Sequence, residues 1–128
     1  MATITSSNTI EFRGSVDDFK HFESDVEIVA NTIILNGLNP RLIHCQIGVQ
    51  FFSDAGGTTP AVPGAGTIGV DTKTLNTDVF ELTPSASIDA TAPATLIADL
   101  PIKEVRAIPT VAITTATHWK LIVTQTRN

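Results

Sequence analysis

The chain has 128 residues, 42% hydrophobic and 16% charged, with a net charge of −5. That length fits one domain able to bury a single core without disulfide or metal staples. The acidic balance argues against nucleic-acid binding, which needs a basic footprint, and no apolar run nears the roughly 20 residues of a membrane-spanning helix.

Residues Met1 to Ser7 are uncharged and read as an N-terminal arm ahead of a single domain over 8–128. They carry no signal-peptide pattern, so a soluble, cytoplasmically made chain is expected. Asn8 to Arg13 reads as a strand with Ile10 and Phe12 on one side, ended by Gly14. The acidic stretch Ser15 to Asp25 has Phe19 and Phe22 three apart. Ser15 could cap a short helix there, with Asp17 and Asp18 in its first turn.

Val26 to Leu35 is a Val/Ile-rich strand with an irregularity expected near Asn31. Asn36-Gly37 and Asn39-Pro40 signal a turn, predicting a hairpin or a sheet corner. Arg41 to Phe52 follows, with Ile43, Cys45, Ile47, Val49 and Phe51 alternating against His44, Gln46, Gly48 and Gln50. A spacing of two puts the first set on a core face.

Ser53 to Gly66 is the longest loop, rich in Gly, Thr and Pro. It lacks the Gly-Lys-Ser/Thr of a phosphate-binding loop. Thr67 to Leu75 reads as a strand, and Asp78 to Leu82 as another, ended by Thr83-Pro84. Ser85 to Ala94 is either an edge strand or a loop, and Ala94 to Leu100 a further strand, interrupted by Pro101. In Lys103 to Thr115, Val105, Ala107, Val111 and Ile113 are expected inward, and Pro109 predicts an edge position or a bulge. In His118 to Thr126, Trp119, Leu121 and Val123 point inward. The expected fold is all-β: an antiparallel β-sandwich, or a jelly-roll-like variant, of about seven to nine short strands, with at most one short helix near 15–25.

Candidate chemistry is thin. Cys45 is the single cysteine and reads as a small buried hydrophobe. His21, His44 and His118 show no metal-ligand spacing. The acidic residues Asp17, Asp18, Glu23, Asp25 and Glu27 lack a calcium-loop pattern and read as a solvated face. No Gly-x-Ser-x-Gly elbow occurs. With 5% aromatics, no Tyr and one Trp, an aromatic-lined glycosidase cleft is not expected. The expectation is a non-enzyme with no catalytic residues, no metal and no cofactor.

The segment Val49-Gln-Phe-Phe-Ser-Asp-Ala-Gly-Gly-Thr-Thr-Pro-Ala-Val-Pro-Gly-Ala-Gly-Thr-Ile-Gly-Val70 resembles a recurring piece of small virion structural proteins of tailed bacteriophages. There, an aromatic strand end with Asp leads into a Gly-Thr-Pro…Pro…Ala-Gly-Thr loop and a returning strand. Pro101 to Ile108 and Thr117 to Thr124 are similar to the last two strands of those proteins. The likeness covers 43–126, while residues 1–42 lie outside the pattern. It implies a virion part, foremost a capsid decoration or cement protein on the particle surface. The partners it implies are the major capsid protein or other virion subunits; self-association as a trimer or dimer is expected because isolated sheet edges need cover, and neither nucleic acid nor membrane is an expected partner. Low charge suits a surface covered by neighbours. The candidate attachment residues are Met1, Ala2, Thr3 and Ile4 of the arm, and Ser53, Asp54, Gly56, Gly57, Thr59, Pro60 and Pro63 of the loop. Two other expectations stand beside this one. A tail, neck or fibre-base component would use the same fold, and a carbohydrate-binding adhesion module would need an exposed aromatic platform.

Overall fold

The structure is a computed structural model that describes residues 3–6, 9–10, 19–75, 79–91 and 95–127. Among them every regular element is a strand: β1 (Thr3–Ser6), β2 (Thr9–Ile10), β3 (Phe19–Glu23), β4 (Glu27–Ile28), β5 (Thr32–Leu35), β6 (His44–Phe52), β7 (Ala65–Thr74), β8 (Glu81–Asp89), β9 (Thr95–Asp99), β10 (Ile102–Thr114) and β11 (His118–Thr126). One sheet has the order β1-β5-β10-β7-β8, and the other β2-β3-β11-β6-β9 with β4 beside β3 on β11. All pairings are antiparallel except β1 on β5. The fold is an antiparallel β-sandwich.

The two-residue period builds the core between the sheets. Cys45 and Ile47 of β6 and Trp119, Leu121 and Val123 of β11 are all inaccessible, as are Ile33 and Leu35 of β5, Ile68 and Val70 of β7, and Ile102, Val105 and Ala107 of β10. Burying each larger side chain of this kind contributes about 1.5–3 kcal/mol relative to leaving it in water. Phe51 stacks on Trp119 with ring centroids 6.2 Å apart.

The Val26–Leu35 segment divides at the irregularity. Asn31 N–H donates to Ile28 O at 3.0 Å, closing a turn. That turn takes the chain from β4, on β11, to β5 in the opposite sheet. The Asn36–Pro40 region is therefore a corner between sheets and not a hairpin, since β5 and β6 never pair. Gly37 takes a φ of 78° in it, a left-handed conformation that glycine adopts without steric cost. At this corner Leu42, 1% exposed, enters the core, and Ile43 is left 48% exposed ahead of the strand.

Three other segments differ from the sequence expectation. Phe19–Glu23 is strand β3, so no helix forms there; residues 15–18 lie outside the described residues. Phe22 points into the core because β11 offers an open edge, which outweighs the local capping signal. Thr83-Pro84 does not end a strand: β8 runs through it as an edge. Between the pairs Gly69–Ser87 and Asp71–Leu82, two steps along β7 face five along β8, a wide bulge that accommodates the proline. In β10 the bulge expected at Pro109 is present, with register shifts on both sides of Val111. These shifts turn Val111 outward, 53% exposed, against the inward expectation, while Ile113 returns to the core.

Candidate functional site

The loop after β6 folds back on its own strand. Phe51 and Phe52 are consecutive and both buried, because Phe51 faces the sandwich core and Phe52 faces out under the loop. Pro60 bridges Phe52, and Ser53 N–H donates to Thr59 O at 3.0 Å. Ala61 N–H donates to Phe51 O at 3.0 Å. Gly57, at φ 66°, is seated against Val26 and Phe52. A Cβ at Gly57 would lie 2.7 Å from Val26 Cγ2.

Asp54 organises the tip. Its carboxylate accepts from Thr58 N–H at 3.1 Å, Thr58 Oγ1–H at 2.6 Å and Thr59 N–H at 2.9 Å. These bonds, the Thr58 hydroxyl first, hold its carboxyl below the ordinary value. A depressed folded-state pKa means the loop conformer is favoured above the unfolded pKa and loses that support as pH falls through the folded one. The Thr58 and Thr59 amide resonances should therefore be constant at neutral pH and shift together only below the ordinary aspartate range. Invariant amide positions down to the acid limit would remove Asp54 from this role.

The structure thus gathers Ser53, Asp54, Gly56, Gly57, Thr59 and Pro60 into one hydrogen-bonded knuckle rooted in the second sheet. Pro63 is buried at its base, and the neighbouring Val62 is 75% exposed. Thr3 and Ile4 lie in β1, paired with Thr32 and Ile33 in the first sheet, so this part of the arm joins the chain's own fold. Met1 and Ala2 lie outside the described residues. Replacing Gly57 by alanine combines the left-handed backbone with the Val26 overlap, and should lower stability by about 1–3 kcal/mol in a urea titration. An unchanged midpoint would mean that the knuckle adapts freely.

No metal-competent group of three His, Cys, Asp or Glu residues occurs among the described residues. His44 Nδ1 lies 2.8 Å from Asp99 Oδ1, and His118 Nδ1 is 2.8 Å from Thr117 Oγ1. His21 bridges Thr124 and Glu23, each at 3.0 Å. Glu23 also binds the Lys120 ammonium, which is the main cause of its lowered pKa. Asp17 and Asp18 lie outside the described residues. Cys45 is buried, and desolvation raises its thiol pKa. A thiol reagent should label it slowly in the native protein and fast in urea. Equal rates would show that the core around it opens readily.

Some of what orders the molecule carries no motif. Gln125 is inaccessible, and its amide holds the sheet corner by accepting from Asn39 N–H at 2.8 Å and donating to Asn39 O at 3.0 Å. It continues the inward parity of Trp119, Leu121 and Val123, the one sequence signal that could have marked it. Ser24 fills the break between β3 and β4: its N–H donates to Leu121 O and its hydroxyl accepts from Leu121 N–H, both at 2.9 Å.

Charge is unevenly placed. Between Ser53 and Val70 the only Asp, Glu, Lys or Arg is Asp54, and between Ala107 and Trp119 there is none. These stretches meet through β7, β10 and the Gly64 N–H to Thr114 O bond of 3.0 Å. Further along the same two strands, Arg106 pairs with Asp71 and Lys73 with Glu104, and the Arg106 guanidinium carbon lies 4.5 Å from the centroid of the Phe80 ring.

A family model described as "Domain of unknown function (DUF7265)" matches residues 18–128. The chain belongs to the DUF7265 family. No curated protein matches this DUF7265 chain. Among solved structures it is similar to one reported under "Bacillus endospore appendages form a novel family of disulfide-linked pili", with 10% identity, 87% of this chain and 90% of that chain covered, and a TM-score of 0.40.

Proposed function

We propose that this DUF7265 protein is a structural component of a tailed-bacteriophage particle, a decoration or cement subunit bound to the capsid surface. The observation that carries the reading is the knuckle Ser53–Pro60. It is held by its own hydrogen bonds, almost uncharged, and mounted on a rigid sandwich. Such a projection binds without first paying the entropy of ordering a loop. Charge depletion is the compositional mark of an interface centre. The resemblance of Val49–Val70 to virion structural proteins supplies the particle.

The mechanism is passive. Many copies each bury a modest area against shell subunits, and multiplicity makes the attachment durable. The aromatic platform of a sugar-binding module finds no support among the described residues. Trp119, Phe22, Phe51 and Phe52 are buried, and Phe80 is overlaid by Lys73 and Arg106.

Quantitative mass spectrometry of purified particles tests the reading. Near-stoichiometric amounts relative to the shell subunit are expected. A single ring's worth per particle would move the protein to the tail or neck, and its absence from particles would end the proposal. Recombinant protein with Asp54→Ala should rebind stripped particles more weakly than the parent chain.

A further inference from the structure

We infer that the outer half of β10, Thr110 to Thr114, is a self-association edge that pairs antiparallel with the same segment of a second copy. β10 has neighbours on both sides only over Val105–Ala107, where β5 pairs with it. Beyond Ala107 the pairing with β7 continues to Thr114, but among the described residues no strand lies on the other side. The reason is the Asn31 turn, which carries the chain away to β4 and the opposite sheet.

The strand half is built to project. Thr110, Val111 and Ala112 are consecutive and all exposed, so both faces of the strand are bare there. It is also fastened: the Thr110 hydroxyl donates to Thr67 O at 3.2 Å, and Ile113 anchors in the core. An unpaired strand edge that is firm, apolar and uncharged is a template for another strand. Pro109, without an N–H, sets the inner limit of any added pairing.

Charge selects a second copy as the occupant. Each chain carries a net −5, so two copies repel wherever their charged surfaces meet. Ala107–Trp119 and the adjoining Gly64–Val70 contain no Asp, Glu, Lys or Arg, so this is where two copies can approach without like charges in contact. A two-fold axis near Ala112, the middle of the segment, would bring the Val111 side chains, each 53% exposed, into the seam and join two five-stranded sheets into one. The inference concerns the isolated chain and does not depend on the particle assignment.

Sedimentation equilibrium of the full chain at high micromolar concentration tests it. A dimer is expected, undiminished in molar salt because no ion pairs hold it. Val111→Lys and Ala112→Glu should each give monomers with an unfolding midpoint close to that of the parent. Val79→Lys, at another exposed apolar position, should leave the dimer intact. A parent chain that is monomeric throughout, a dimer that dissolves in salt, or β10 variants that still dimerise would each overturn the inference.

Discussion

Replacing Gln125 by leucine is expected to cost about 2–4 kcal/mol of stability, although leucine is similar in size and more apolar. The glutamine amide occupies a fully inaccessible position on the core side of β11. It accepts from Asn39 N–H and donates towards Asn39 O, Ile102 O at 3.3 Å and Leu42 O at 3.5 Å. Leucine would leave these backbone groups facing hydrocarbon, and each orphaned donor or acceptor carries a desolvation penalty. The corner 36–43 would then lose the hydrogen-bonded tie that Gln125 gives it to β11. A urea titration followed by circular dichroism should show a lower midpoint. Hydrogen exchange should quicken first at Asn39 and Leu42.

Gln125→Glu separates shape from hydrogen bonding. The carboxylate can still accept from Asn39 N–H but cannot donate, and it places a charge in the core. Burial raises the pKa of such a group, so the penalty should be greatest at neutral pH and shrink as acid protonates it. A Gln125→Leu protein as stable as the parent would show that the corner is held by Leu38 and Leu42 alone.

The second large effect belongs to Trp119. Trp119→Ala should destabilise the fold by about 3–5 kcal/mol, a large share of the 5–15 kcal/mol typical of a domain. The indole is inaccessible and lies nearly parallel to Phe51, with 9° between ring planes. Its Nε1–H donates to Ile28 O at 3.1 Å, tying β4 to β11 from within the core. Trp119→Phe keeps an aromatic against Phe51 but drops that bond, and should cost about 1–2 kcal/mol plus a local loss of protection at β4. As Trp119 is the single tryptophan, parent unfolding can be read from its emission. The variants need circular dichroism. An alanine variant within about 0.5 kcal/mol of the parent, the usual range for an exposed site, would contradict the packing described.

The fold class and most strand positions were legible because burial on one face of a strand writes a period of two into the chain. Cys45, Ile47, Trp119, Leu121 and Val123 all landed on the core side. The knuckle was legible as a loop from its Gly, Thr and Pro content, but its folded-back shape was not. That depends on Asp54 meeting Thr58 and Thr59, and on Gly57 meeting Val26, a residue far away in sequence. Phe19–Glu23 misled because its three-residue spacing and acidic start are equally compatible with a helix. Only the open edge of β11 chooses between them.

By itself, the sequence determined an all-β body, a buried tryptophan and cysteine, and a long loop with a single charged residue, since composition and alternation are properties of the chain alone. Tertiary structure decided which strands share a sheet, that the Asn31 and Asn36–Pro40 breaks are crossings between layers, and that Val111 faces out while Gln125 faces in. Those outcomes rest on register and on hydrogen bonds between residues remote in sequence. A bulge of one residue reverses every side chain beyond it, and no local pattern records where such a bulge falls.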